Sequence, residues 1–250
     1  MKKIGLQVDL NEDHTKPLFN LAYFKFAEFL CEQFPDQLSG ITLVTPYEER
    51  INPEIGLFLG IGGADISPYK YGKKKLGWLM GHQNSNFEYF DCTLLPKLLL
   101  SGIPSLHICR SMQAVNIFFW GSLHLHVEEP TSKERGDLVH LGKDARTGEV
   151  IFLNSLHHQA VDTLGNDLEV ILSGFTYKKK TEIPLQVEAI RHKSFPILGL
   201  QNHPEELDIT ERRAANSMNW VLREVASILE QGKTQEINLE PENTLGRVFI

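Results

Sequence analysis

Three side chains in this sequence have the types and the order needed to make and break an acyl bond. The first is Cys109. The stretch PSLHICRSMQAVN, Pro104 to Asn116, reads as a buried strand over residues 103–108, a cysteine at a sharp turn, and a helix opening at about Ser111. A strand-to-helix turn of that kind exposes a nucleophile and aims the first backbone N–H groups of the helix at it. Those N–H groups and the positive helix end favour a thiolate and can also stabilise an oxyanion. A lone cysteine in an α/β core is more often structural, so the chemistry needs a base elsewhere. FPILGLQNHPEELD, Phe195 to Asp208, provides one. An apolar strand over residues 197–200 stops in His203, Pro204 and Glu205. Pro204 ends the strand, and Glu205, two residues past His203 in an extended turn, can orient the imidazole. Cys, His and a carboxylate in that order fit a nucleophile, its general base and the group that holds the base.

The elements that must carry these groups follow from the periodicity. A strand opens the chain at residues 3–8. A helix with apolar and aromatic residues at helical spacing covers residues 20–34 and ends before Pro35, and strands follow at residues 41–45 and 55–59. Strand, helix, strand with short connections predicts a parallel, doubly wound sheet. The loop Gly60 to Asp65 then sits at the carboxyl end of its strand, where open α/β sheets place their ligands. Glycines there let the backbone approach a reacting carbonyl, and the N–H of Gly62 or Gly63 can complete an oxyanion hole with the N–H of Arg110. Residues 78–86 read as an irregular excursion near that loop, and residues 87–100 as a helix kinked by Pro96. Gln113, one helical turn beyond Cys109, is placed either to meet a polar group of a substrate or to act as a buried amide.

Residues 128–149 form a polar loop with a hairpin edge, and the strand at residues 149–154 delivers NSLHHQ. His157 and His158 are adjacent, so on a strand they face opposite ways and cannot both contact one ligand through their rings. His124 and His126 alternate on an extended segment, but no third residue has ligand spacing, and no metal is expected. Further strands at residues 168–172 and 185–190 precede the His203 turn. A long helix over residues 209–229 closes the domain, drawn as 1–230. From Gln231 helical periodicity is lost, and residues 231–250 read as a tail that is either mobile or packed on a partner.

Composition sets limits. A chain of 250 residues with 42% hydrophobic content can bury a substantial core as one domain. A formal net charge of −7 argues against charge-driven binding to nucleic acid or a membrane surface. The basic runs at residues 69–75 and 178–180 lack the interleaved aromatics of a nucleic-acid patch and read as solvated loops. Three cysteines, Cys31, Cys92 and Cys109, have neither paired nor metal-type spacing, which suggests a reducing compartment. MKKIGLQVDL is too short and mixed for a signal peptide, and no apolar run approaches membrane-spanning length. A cytoplasmic protein is expected; its oligomeric state, a homo-oligomer included, stays open.

At the level of motifs, HICRSMQ resembles the Gly-x-Cys-x-Gly-x-Gln elbow of the class I glutamine amidotransferases, and LGLQNHPEE resembles their His-Pro-Glu segment. Within that superfamily, NSLHHQAVDTLG (Asn154 to Gly165), LFLGIGGADISPYKYG (Leu57 to Gly72) and VEAIRHKSFPILGLQNHPE are similar to the γ-glutamyl-γ-aminobutyrate hydrolases, peptidase family C26. The resemblance covers about residues 3 to 230. It implies a three-layer α/β/α fold of the flavodoxin-like amidotransferase type, hydrolysis of γ-glutamyl amide bonds, Cys109, His203 and Glu205 as catalytic groups, and a small-molecule γ-glutamyl substrate. It also implies that the segment carrying His157 and His158 helps hold the glutamyl moiety. No metal or organic cofactor is implied. Departures from the family pattern are His107 and Ser111 where the elbow has glycines, Ile61 in place of a proline, Trp120 in place of a glycine, and Asn202 in place of an aromatic residue. His107 is expected to reshape the pocket or to add a titratable group. Two other readings remain: a glutaminase subunit that passes ammonia to a synthetase partner, and a catalytically weak protein that binds a γ-glutamyl ligand.

Overall fold

The computed structural model describes residues 1–11, 14–18, 20–74, 84–128, 131–178 and 181–235. In chain order its elements are β1 (Lys2–Gln7), a small hairpin of β2 (Asp9–Leu10) and β3 (Pro17–Leu18), α1 (Leu21–Gln33), β4 (Leu38–Val44), β5 (Ile55–Gly60), α2 (Ser85–Thr93), α3 (Leu95–Leu100), β6 (Ser105–Ile108), α4 (Arg110–Phe118), β7 (Ser122–His124), β8 (His140–Asp144), β9 (Val150–Leu153), β10 (Ala160–Thr163), β11 (Leu168–Lys178), β12 (Thr181–His192), β13 (Ile197–Leu200) and α5 (Arg212–Gln235). Nine strands form one sheet in the order β4-β1-β5-β6-β13-β12-β11-β8-β9. From β4 to β13 neighbouring strands are parallel; from β13 onward they are antiparallel. The predicted doubly wound sheet is therefore the first half of a larger mixed one.

Strand alternation explains the layers. On β5, Leu57 and Leu59 enter one core together with Tyr23, Phe26 and Leu30 of α1 and Trp220, Val221 and Val225 of α5. Phe58, between them, faces the other side, against Phe90 of α2, Leu95 and Leu98 of α3, and Met112 and Val115 of α4. The result is a three-layer α/β/α fold whose parallel strands are buried on both faces. Asn20 caps α1 by accepting from the Ala22 N–H, and Asn84 caps α2 in the same way through Asn86 and Phe87.

Several elements differ from expectation. The helix expected over residues 87–100 is two, α2 and α3, meeting at Leu94; Pro96 sits in the first turn of the second, where its missing N–H costs nothing. Ser85 and Asn86 belong to α2, and the rest of the expected excursion falls largely on residues 75–83, outside the described residues. The same holds for residues 179–180 of the second basic run. The last helix runs on to Gln235 because Gln231 is anchored: its Nε2 donates to the Ser194 carbonyl at 2.7 Å, and its Oε1 accepts from Arg191 at 3.0 Å. The domain boundary drawn at 230 thus cuts through a helix. Among the described residues no helix is long and apolar enough to cross a membrane.

Candidate active site

Between β6 and α4 the chain turns at Cys109, whose φ of 50° and ψ of −108° lie where residues with a side chain are strained. The turn is held from both sides: the Cys109 N–H donates to the Leu200 carbonyl of β13 at 2.6 Å, and the Cys109 carbonyl accepts from Gln113 at 3.1 Å. Every residue of α4 is buried. His107, the residue expected to reshape the pocket, points away from it. Its ring lies within the sheet against Phe58, and Nδ1 bonds the Ser111 hydroxyl at 2.9 Å. The two positions where the motif has glycines are thus filled by a bonded pair. Space for them comes from the neighbouring strand: His107 is in register with Gly60 on β5, and a Cβ on Gly60 would sit 2.9 Å from His107 Nδ1 and collide with the Ser111 hydroxyl. Burial pushes the His107 imidazole down to about 3, so it is neutral near pH 7 and adds no charge to the site.

His203 and Glu205 stand at the end of β13, where Pro204 opens a one-turn 3₁₀ helix. His203 Nδ1 lies 2.7 Å from Glu205 Oε1. With that nitrogen bound to the carboxylate, Nε2 is buried and faces the Cys109 thiol. Burial alone would depress this imidazole, but the charges of Cys109 and Glu205 and the hydrogen bond to Glu205 hold it well above its ordinary value. The backbone of His203 is clamped by Asn154, whose Oδ1 accepts from the His203 N–H at 3.0 Å while its Nδ2 donates to the His203 carbonyl at 2.9 Å.

Tyr23 of α1 completes the cluster. Its hydroxyl accepts from the Gly62 N–H at 2.8 Å and lies 3.4 Å from His203 Nδ1, beside Glu205. Burial, then the nearby Glu205 and Cys109, raise the phenol well above its usual value and keep it protonated. Gly62 sits directly over Cys109 and His203: a Cβ there would come 3.0 Å from His203 Cε1 and 3.5 Å from Cys109 Cβ. Of the two predicted loop donors, the Gly62 N–H is therefore committed to Tyr23, whereas that of Gly63 makes no hydrogen bond among the described residues. Arg110 braces the same loop with its side chain. Its Nε donates to the Ala64 carbonyl at 2.9 Å, and its guanidinium forms a buried two-pronged pair with Asp91 at 3.0 and 2.7 Å.

NSLHHQ is an irregular link between β9 and β10 rather than a strand, so its two histidines diverge through a turn. His157 is buried, with Nδ1 3.1 Å from the Gln159 carbonyl, and burial lowers it to about 4 despite the nearby Glu188. His158 faces outward, 3.0 Å from Asp65 and 3.3 Å from His126. Gln113 is the buried amide of the two roles open to it: its Nε2 donates to the Gln159 carbonyl at 2.9 Å and to Gln201 Oε1 at 3.1 Å. Among the described residues no group of three or more His, Cys, Asp or Glu side chains has a metal-holding arrangement. Tyr23, Asn154 and Gln201 were not singled out as site residues. Asn154 opens a motif that was, and Gln201, a polar residue just past the end of an apolar strand and two before His203, carried a signal; Tyr23 carried none.

A thiol facing an imidazole backed by a carboxylate, beneath a glycine loop, is the arrangement of a nucleophilic acyl-transfer site. Residues 47–205 match the Peptidase C26 family. This chain belongs to that family. A glutamine amidotransferase-like protein of Lactococcus lactis, YvdE, is 30% identical over 58% of this chain and 63% of its own length. A second glutamine amidotransferase-like protein, from Rickettsia prowazekii, is 28% identical over 82% of this chain and 91% of its own. In fold, the chain is similar to a glutamine amidotransferase from Thermotoga maritima, with a TM-score of 0.55, 15% identity, and 94% of this chain and 92% of that one covered. A Thermoplasma acidophilum protein described as part of a GMP synthase has a TM-score of 0.57 at 16% identity, covering 96% and 98%. The fold is thus that of the class I glutamine amidotransferases, and C26 membership makes the chain, in general terms, a cysteine-based amide hydrolase or amidotransferase.

Proposed function

We propose that this C26 protein hydrolyses γ-glutamyl amide bonds through a γ-glutamyl thioester on Cys109. The observation that carries the reading is the placement of the His203 ring, with Nδ1 2.7 Å from the Glu205 carboxylate and its other edge beside Cys109 under the Gly62 loop. An imidazolium beside sulfur favours the thiolate, the nucleophilic form. Sγ attacks the γ-carbonyl, and a C–S bond forms as the carbonyl π electrons move onto oxygen. The N–H groups of Gly63 and Arg110 are the donors for that oxyanion. On collapse the C–N bond breaks, and the amine leaves with the proton from His203 Nε2. Neutral His203 then takes a proton from water, the hydroxide equivalent attacks the thioester, and glutamate departs as Sγ is released. No step calls for a metal or organic cofactor. The three cysteines are all free thiols, which supports a cytoplasmic setting.

The names of the relatives favour a second reading, in which glutamine is the substrate and its ammonia passes to a synthetase partner. A panel of γ-glutamyl amines and glutamine, followed by released glutamate with Cys109→Ala as control, separates the two. Turnover of γ-glutamyl amines that the variant loses is the expected result. Turnover of glutamine alone moves the assignment to the second reading, and inactivity on every member contradicts both.

A further inference from the structure

We infer that Gln201 is a further catalytic residue, an N–H donor to the Cys109 sulfur, and that Gln113 is the positioning residue that fixes its direction. The inference rests on the proposal that Cys109 is the nucleophile.

Three amides meet behind the thiol, and the direction of each is set by its neighbour. The backbone carbonyl of Gln159 can only accept, so the Gln113 atom 2.9 Å from it is the nitrogen Nε2. The other hydrogen of that nitrogen points at Gln201, 3.1 Å away, so the Gln201 atom there is the acceptor Oε1. What remains of the Gln201 amide is its NH₂, and this lies 3.6 Å from Cys109 Sγ. The orientation of a buried amide, ordinarily ambiguous, is here fixed by a carbonyl two links away. All members are buried, with Gln201 fully so, and the Gln201 backbone N–H is tied to the Glu188 carbonyl at 2.8 Å. The amide therefore has no freedom to turn its oxygen to the sulfur without breaking the Gln113 bond.

An N–H aimed at sulfur stabilises the thiolate more than the thiol, since a hydrogen bond to a charged acceptor is stronger. It also restrains Sγ on the His203 side of the elbow. His203, from the turn after β13, and Tyr23, from α1, are the titratable groups that face the sulfur, with Glu205 behind them. His157 and Glu188 lie next to His203 and to the Gln201 backbone respectively. Arg110 is turned away to Asp91, and His107 lies beneath the elbow bonded to Ser111. Gln201 differs from all of these in being neutral at every pH, so it biases the sulfur without itself titrating.

The test is the pH profile of Cys109 alkylation by iodoacetamide, read on the Cys109 peptide by mass spectrometry so that Cys31 and Cys92 do not interfere. Gln201→Met keeps length and removes the donor; Gln113→Leu leaves the sulfur untouched but frees the Gln201 amide to rotate. At slightly acid pH, alkylation of Gln201→Met should be slower by about tenfold, with the whole profile displaced to higher pH. Gln113→Leu should move the same way by about threefold. A folded Gln201→Met whose profile overlays that of the parent overturns the inference. If Gln201→Met does not fold, Gln113→Leu decides alone, and an overlay there is equally fatal. The measurement needs no substrate, so it is separable from the functional proposal. Displaced variant profiles in a protein that hydrolyses no γ-glutamyl amide count against the proposed reaction and for the donor; hydrolysis with unmoved profiles does the reverse.

Discussion

Two buried imidazoles flank the Cys109 elbow, one above it and one below, and they are driven in opposite directions. His107, under the turn, packs on Phe58 and has the Ser111 hydroxyl at 2.9 Å as its one hydrogen-bond partner among the described residues, and burial takes it down to about 3. His203, over the turn, is buried to a similar degree, yet Cys109 and Glu205 raise it well above its ordinary value. Desolvation acts on both and favours the neutral ring; only the partners differ. The comparison shows that what distinguishes an acid–base group from a packing group here is a carboxylate on one ring nitrogen and a thiol facing the other. The same residue type, a few ångströms away and without a charge beside it, becomes part of the core.

Exchanging the partners should break this contrast, and the largest effect is expected on the upper side. His203→Asn removes the group that accepts and returns the proton, and kcat should fall by about 10³-fold or more with KM little changed. Glu205→Gln keeps the ring but removes the charge that holds it up. A loss of about 10²-fold in kcat is expected, together with an alkaline limb, where the His203 imidazolium loses its proton, displaced to lower pH, and an unchanged pH profile would refute the role given to Glu205. The smallest effect lies below the elbow. His107 has a folded-state value below its unfolded one of about 6.5, so between the two the unfolded chain binds the extra proton. The stability tied to its neutral form is complete above about pH 6.5 and is lost as pH falls toward about 3. His107→Asn should lower stability near neutrality by about 1–3 kcal/mol and flatten that acid loss, as followed by urea unfolding at a series of pH values. Turnover by the variant that remains folded should stay within about threefold of the parent.

Which of these features could be read in the sequence depended on how local they were. The Cys109 turn is a strand, one residue and a helix in succession, and His203 and Glu205 are two positions apart, so both were visible as patterns. The first half of the sheet was legible for the same reason, through alternating strands and helices with short links. Tyr23 was not, because nothing local marks a tyrosine on an apolar helix face that closes on His203 across 180 residues. His107 was misjudged because its room is made by Gly60, a residue of another strand brought alongside only by sheet pairing. The strand expected over residues 149–154 ends at Leu153, and Asn154 opens the irregular link that follows, spending its side chain on the His203 backbone, 49 residues on.

The central claim is that the γ-glutamyl group passes through the Cys109 sulfur. Rapid mixing of the protein with a γ-glutamyl amide, acid quenching and mass analysis of the Cys109 peptide tests it most directly. The expected result is a γ-glutamyl adduct on that peptide alone, present in samples quenched during turnover and gone from samples quenched after the amide has been consumed and glutamate released. Full turnover with Cys109 unmodified throughout, and retained by Cys109→Ala, would contradict it.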